Sequence, residues 1–435
     1  MIKLKCNSLN FDGTGAVFNG DKLERVVNLL PGETAELETV RGKLKVGRIT
    51  ETSPMRITPK CPVFDKCGGC QFLHTEYESE LQAKTEYMEK FFSKYNVDIH
   101  KVIKMSFPYN YRNKCQMAFK SNKKNQAITA FYEENSHRMV SVSECKLHNS
   151  LGNDIIKAVT KAINKNKIRV YNEEFKTGLL KHIVVRVGMY TNEAMVILVT
   201  KEKAFPGRNN LMKDVKKIPG ITTVVQNVNS RDTSMVLGDF SQTIYGPGFI
   251  YDKLGKLKIK VGPNSFYQVN TKGMKILYDK VIELGKFKKT DVVLDTYCGI
   301  GTIGLYVAEK VNKVFGVEIN KEAIKDANTN KRINGIKNVE FFNSDSTKFM
   351  ETLDKSEKVD VVIMDPPRAG STESFIKNIQ TLRVPKVVYV SCDPFTLSRD
   401  LDIFVQSGYK VKNIESVDMF SRTANLETVV ILVKE

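Results

Sequence analysis

A chain of 435 residues is long enough for two or three domains, and 41% hydrophobic residues can fill a sizeable core, which excludes a disordered chain. No apolar run approaches the length that spans a bilayer, and the opening MIKLKCNSLNFDG lacks the apolar core and small-residue cleavage site of a secretory leader, so a cytoplasmic protein is expected. The formal net charge of +18 attracts polyanions, nucleic acid first among them, although a lysine-rich solubilising surface would give the same sum.

Residues 1–59 read as a small all-β unit, its short apolar stretches broken at Asp12-Gly13, Gly15, Asn19-Gly20, Pro31-Gly32 and Arg41-Gly42. The segment 11–17, FDGTGAV, resembles the opening of the TRAM domain, an OB-like RNA-binding barrel. Cys61, Cys67 and Cys70 follow in one run, with Cys145 remote. Four such thiolates in a large chain without a leader point to a metal rather than to disulfides, either structural zinc or an iron–sulfur cluster. Three close cysteines and a distant fourth favour the cluster, because zinc sites typically use two short-spaced pairs. An amphipathic helix is expected over about 75–92, and the stretch 75–104 is expected to pack on the C-terminal domain. The segment Tyr109-Asn110-Tyr111-Arg112-Asn113-Lys114 mixes aromatics with cations that can stack on bases and hold phosphates, or form a solvated basic hairpin. Residues 60–262 otherwise read as a mixed, mostly β central domain with strands near 182–187 and 194–199.

From about 263 the pattern alternates. Strands at 291–295, 313–318, 339–342, 359–364 and 386–390, separated by helices, predict a parallel doubly wound sheet. Asn320 is the expected cap of the helix that Asn334-Gly335 stops. The runs 409–414 and 428–433, with no helical pattern between them, predict a final hairpin and an antiparallel last strand. Ligands of such sheets bind beyond the carboxyl ends of the strands. Tyr297, Glu318, Asp345, Asp365 and Cys392 fall at such ends, and Glu427 begins the reversed strand, which would bring it to the same rim.

The turn Asp295-Thr296-Tyr297-Cys298-Gly299-Ile300-Gly301-Thr302-Ile303-Gly304 follows the first of these strands. Its glycines let backbone approach a ligand, and Glu318 after the next strand can accept from ribose hydroxyls, while Asp345 is placed to meet an adenine edge. The spacing fits a dinucleotide fold as well, but the lead D-x-x-C-G-x-G resembles the first motif of S-adenosylmethionine-dependent methyltransferases. Cys392, inside Ser391-Cys392-Asp393-Pro394 and after Asp365-Pro366-Pro367-Arg368, is the candidate nucleophile rather than a buried structural thiol, the reading given to Cys115 and Cys298. A thiolate adding to carbon-6 of a uracil activates carbon-5 toward a sulfonium methyl, after which a base must remove the carbon-5 proton. Glu427 is the candidate base, with Asp365 holding cofactor or the uracil edge. The target base must leave its stack to reach such a pocket.

Together, Ser265-Phe266-Tyr267-Gln268-Val269-Asn270, the DxxCGxG turn, Gly316-Val317-Glu318, DPPR, SCDP and Glu427-Thr428-Val429 resemble the RNA uridine-5-methyltransferase family (TrmA/RumA type) over essentially the whole chain. The resemblance implies an α/β fold: a class I S-adenosylmethionine methyltransferase (Rossmann-like) domain at 263–435, an N-terminal OB-like barrel (TRAM) at 1–59, and a central RNA-binding domain at 60–262 carrying the cysteine motif. It implies cofactor contacts at Gln268, Tyr297, Glu318 and Asp365, nucleophile and base at Cys392 and Glu427, and RNA as partner of a monomeric enzyme that uses no membrane. The ribosomal-RNA branch of the family carries a 4Fe–4S cluster at a motif like Cys61, Cys67, Cys70 and Cys145, so 23S ribosomal RNA is the expected substrate. The alternatives are a transfer-RNA uridine-5-methyltransferase, an iron–sulfur NAD-dependent oxidoreductase, and a noncatalytic RNA-binding protein. Ser421 and Asn425 depart from the family pattern, which usually has proline and histidine there.

Overall fold

Turn residues set the first sheet. In the computed structural model, which describes every residue except 41, 134–135, 232, 234 and 354–357, the strands β1 (Ile2–Leu9), β2 (Gly15–Asn19), β3 (Lys22–Val26), β4 (Thr34–Val40) and β5 (Lys43–Glu51) are separated by Gly13, Gly20, Asn28, Gly32 and Gly42, all at positive φ. The expected turn at Arg41-Gly42 lies partly outside the described residues. The strand order is β3-β2-β1-β4-β5 with antiparallel pairing throughout, and β3 returns against β5. This is the partly open five-stranded barrel of OB type. Cys6, Val17, Val26, Leu29, Ala35, Leu37 and Leu44 fill it. Helix α1 (Tyr77–Phe92) follows within the span that its sequence pattern predicts.

The central strands are β6 (Lys114–Ser121), β7 (Ala127–Tyr132), β8 (Met139–Ser141), β9 (Leu180–Val187), β10 (Ala194–Thr200), β11 (Ile221–Val228) and β12 (Phe240–Tyr245), with α2 (Ser150–Lys165) and α3 (Arg208–Val215) between them. They form one sheet in the order β12-β11-β10-β9-β6-β7-β8, in which β10 and β11 run parallel. Both faces of β9 and β10 are covered, which explains why β10 reads as an apolar run up to Thr200, while β9 buries Lys181, His182 and Arg186 among its apolar residues. A hairpin of β13 (Ile250–Leu254) and β14 (Leu257–Val261) precedes α4 (Thr271–Gly285).

The alternating region gives β15 (Val292–Thr296), α5 (Thr302–Val307), β16 (Lys313–Glu318), α6 (Lys321–Ile333), β17 (Val339–Asn343), α7 (Ser346–Thr352) and β18 (Val361–Met364). These strands lie parallel in the order β17-β16-β15-β18. Asn320 caps α6 by accepting from the Glu322 and Ala323 amides, and Asn334 is its C-cap, as the sequence predicts. The chain continues through α8 (Glu373–Thr381), β19 (Lys386–Ser391), α9 (Pro394–Gln406), β20 (Tyr409–Val417) and β21 (Glu427–Lys434). The last two strands form the predicted hairpin, and β21 lies antiparallel between β19 and β20.

By its contacts the chain divides into two compact units. One holds Met1–Pro108, Glu283–Gly285 and Asp365–Glu435, and the other Tyr109–Ile282 and Lys286–Met364. The first therefore joins the barrel and α1 to β19, β20 and β21, and these boundaries differ from the expected segments 1–59, 60–262 and 263–435. Within it α1 packs on the C-terminal segment: Tyr95 donates to Ser398 O and Asp402 Oδ1, and Phe11, Tyr87, Phe91 and Phe395 form a ladder of ring contacts. Among the described residues, no helix is long and apolar enough to cross a membrane.

Candidate active site

In the second unit, the glycine-rich turn is built from β15. Asp295 is fully buried, and its Oδ2 accepts from the Gly304 amide at 2.8 Å, so the acid that leads the turn fixes the start of α5. Tyr297 takes φ +60°, a backbone conformation costly for a tyrosine, which marks this turn as a strained and over-determined site. Gly299 sits at φ +55°, and a Cβ there would meet nothing within 4 Å; the backbone faces open space that a ligand could enter. Gly301 has the opposite constraint: a Cβ would come within 2.4 Å of Phe341. Glu318 ends β16 half-buried, and its carboxylate already accepts from Gly299 N (3.2 Å) and Asn320 N (2.8 Å). Asp345 is an exposed helix cap, its Oδ1 accepting from the Thr347 and Lys348 amides at the start of α7.

Gln268 is buried in the same unit, in a turn clamped on both sides. Asn113 Nδ2 donates to Gln268 O and Thr271 Oγ1, both at 2.9 Å, and Asn113 N donates to Val269 O at 2.7 Å. Tyr267 and Thr271 donate to Asp252 Oδ2, Arg186 Nη2 donates to Ser265 O, and Ser265 Oγ donates to Asp326 of α6. Tyr278 of α4 meets Thr302 at the start of α5 (2.9 Å), which ties this clamp to the glycine turn. The segment 109–114 is therefore not an exposed stacking hairpin throughout: Tyr111 and Asn113 are buried, and Asn113 serves as scaffold.

In the first unit, β19 delivers Cys392 just before α9, whose N-cap Asp393 accepts from the Phe395 and Thr396 amides. Ser391 pairs with Thr428 and Val417 with Glu427, so continuing the register by one residue sets Cys392 opposite Glu427. The antiparallel last strand thus brings its first residue to the carboxyl end of β19. Asp365, Cys392 and Glu427 act on one another electrostatically, with Arg368 opposing. Burial pushes the Cys392 thiol up to about 12, and the Glu427 and Asp365 carboxyls add to the rise. Burial also raises Glu427 well above the carboxylate range, and pushes Asp365 up to about 7. Glu427 is 2% exposed, and its Oε2 is buried with no hydrogen-bond partner among the described residues. Burial thus favours the protonated form of all three groups.

Two members of this cluster were not assigned from the sequence. Arg368 is a cation that lowers both the thiol and the glutamate, and its Nη2 donates to Asn425 Oδ1 at 2.6 Å. The signals available were the arginine of DPPR and the departure at Asn425 itself. Thr396 Oγ1 donates to Arg368 O and Arg399 Nη2 to Ala369 O, which locks the DPPR turn onto α9.

Cys61, Cys67 and Cys70 are half-buried in the first unit, and Cys145 is half-buried in the second. Among the described residues, no three His, Cys, Asp or Glu side chains stand together as a metal-ligand set. Thiolates of this kind suit an iron–sulfur cluster by chemistry. Cys115 and Cys298 are buried, as expected of small core residues.

Residues 76–435 match the family model described as tRNA (uracil-5-)-methyltransferase. The chain is 36% identical to an uncharacterized RNA methyltransferase of Halalkalibacterium halodurans, over 99% of this chain and 96% of that protein. It is 38% identical to one of Oceanobacillus iheyensis, over 93% and 90% respectively. Its fold is similar to the crystal structure of Pyrococcus abyssi tRNA (uracil-54, C5)-methyltransferase in complex with S-adenosyl-L-homocysteine, with a TM-score of 0.80 and 27% identity over 99% of this chain and 100% of that one.

Proposed function

Because the chain belongs to the tRNA (uracil-5-)-methyltransferase family and is an RNA methyltransferase, we propose that it methylates carbon-5 of a uridine in RNA from S-adenosylmethionine, with Cys392 as nucleophile and Glu427 as base. The observation that carries this reading is the register that sets Cys392 opposite Glu427, beside Asp365 and Arg368. The open backbone at Gly299, the strained Tyr297, the carboxylate of Glu318 and the clamped Gln268 support these residues, with Asp345, as the cofactor contacts. S-adenosylmethionine, when bound, supplies an electrophilic methyl group.

Cys392 Sγ, once deprotonated, forms a bond to carbon-6, and the electron pair of the ring double bond moves toward the carbonyl at carbon-4 as an enolate. Carbon-5 would then take the methyl group, the electron pair of the broken sulfur–methyl bond staying on sulfur so that S-adenosylhomocysteine is the leaving group. Glu427, as carboxylate, accepts the carbon-5 proton; the double bond re-forms and expels the Cys392 thiolate. Asp365 is assigned to the cofactor or the uracil edge. Arg368 moderates the negative charge that these three acids would otherwise share.

Incubation with RNA containing 5-fluorouridine and labelled cofactor tests this, since fluorine at carbon-5 cannot leave as a proton. A denaturation-resistant protein–RNA complex is expected from the native chain and none from Cys392→Ala. Normal turnover by the alanine variant would reject the mechanism.

For the substrate we propose 23S ribosomal RNA, supported by the TRAM-like opening and the cysteine run. A second reading, transfer RNA, is favoured by the substrate named for the Pyrococcus abyssi protein. Sequencing the trapped RNA separates them. We further propose that Cys61, Cys67, Cys70 and Cys145 ligate a 4Fe–4S cluster in a structural role; no step of the transfer passes through it. Anaerobic purification is expected to give a brown protein with iron and sulfide, and stoichiometric zinc in a colourless protein would replace this assignment.

A further inference from the structure

The base has no hydrogen bond at Oε2 to aim it, so its position depends on the backbone that leads into β21. That lead is the loop from Asp418 to Leu426, and its pivot is Arg422, buried and held at φ +69°. A non-glycine residue keeps such a backbone only where its surroundings impose it. Here they do. Arg422 N donates to Glu80 Oε1 at 2.8 Å, Nη1 donates to Thr75 O at 2.8 Å and Phe72 O at 3.2 Å, and Arg422 O accepts from Gln71 N at 3.0 Å and Phe72 N at 3.2 Å. Glu80 is in turn fixed by Lys84, which also bonds Asp418 at 2.6 Å, all three fully buried.

One side chain reaches past this pivot toward the base. Gln71 Oε1 accepts from Ala424 N at 3.0 Å, while Gln71 Nε2 donates to Gly68 O at 2.9 Å. Ala424 precedes Asn425, the partner of Arg368, and lies three residues before Glu427. The barrel closes on the other side of Gln71: Gly13 is at φ +77°, and a Cβ there would lie 2.8 Å from both Gln71 Cβ and Gln71 O. Gln71 is therefore the point where the barrel turn, the cysteine-bearing segment and the loop before the base meet, all within one unit.

We propose that Gln71 is a positioning residue for Glu427, holding the 422–426 loop so that the carboxylate reaches the carbon-5 proton. The proposal rests on Glu427 being the base. It predicts a selective defect: methyl transfer proceeds, but release of the enzyme from the methylated ring slows.

The test uses the full chain, S-adenosylmethionine and ordinary uridine-containing RNA, with Glu427→Gln as the reference. That variant is expected to accumulate a covalent, already methylated protein–RNA adduct. Gln71→Ala is expected to lower kcat by about 10- to 100-fold, the scale of a misplacement near 1 Å, with KM for both substrates unchanged and with the same adduct accumulating. Gln71→Glu retains an oxygen for Ala424 N and should restore release. Gly13→Ala, remote from the chemistry, should reproduce the defect by displacing Gln71. Melting curves and iron content matched to the native chain keep folding and metal loading out of the comparison. If Glu427→Gln accumulates adduct while Gln71→Ala and Gly13→Ala do not, the positioning role is overturned. If Glu427→Gln accumulates none, the assignment of the base falls first and the positioning role with it.

Discussion

Glu427 sits where solvation would least favour its charge. A carboxyl whose folded-state pKa is raised above its unfolded value stabilises the fold fully below the unfolded pKa, and that stabilisation is lost as pH rises through the folded pKa. Glu427→Gln removes the ionisable group and keeps the shape. The variant is expected to melt several degrees above the native chain at pH 8, with the gap closing as pH falls toward 4.5, the ordinary glutamate value. Thermal melts across that range check it; a variant less stable than the native chain at pH 8 would show that burial is not what raises the group. With Glu427 as the proposed base, activity is expected to move the opposite way, since the amide cannot accept a proton.

At the scale of elements, turns do more than connect. Asn113 precedes β6 and secures the turn after β14 that carries Gln268. Asn113→Ala removes two buried side-chain hydrogen bonds, at about 1–3 kcal/mol for each group left unsatisfied. The expected outcome is a lower Tm and about tenfold weaker S-adenosylhomocysteine binding by calorimetry, with RNA affinity retained; unchanged binding would separate Gln268 from the cofactor. The elements themselves were legible in the sequence because periodicity is local: β16 falls on its predicted span, and the reversed β21 followed from the missing helix after β20. The strand-end positions of the proposed nucleophile and base were legible for the same reason. The supporting contacts were not. Arg368 with Asn425, Gln71 with Ala424 and Asn113 with Gln268 are far apart in the chain, and no period announces them. Glu318 and Asp345 show a second blind spot, since carboxylates chosen for a ligand also serve their own backbone.

Across the whole molecule, the excess of cations gives RNA affinity that falls steeply with salt but carries no base preference. The barrel exposes an apolar pair: Phe18 and Leu23, cross-strand partners on β2 and β3, are 53% and 55% exposed. Phe18→Ala is expected to weaken RNA binding about fivefold or more, as loss of one stacking platform would, while the salt slope and cofactor binding stay as they are. Filter binding at several salt concentrations measures both; an unchanged affinity would remove this face from the RNA path. β21 bears on the molecule in another way. It is translated after β19 and β20 yet lies between them, so those two strands wait with open edges until the chain behind them emerges from the ribosome. On the roles proposed above, a nascent polypeptide carries the sulfur well before the acid can lie opposite it, so the two halves of the chemistry come together only when the final strand slots in.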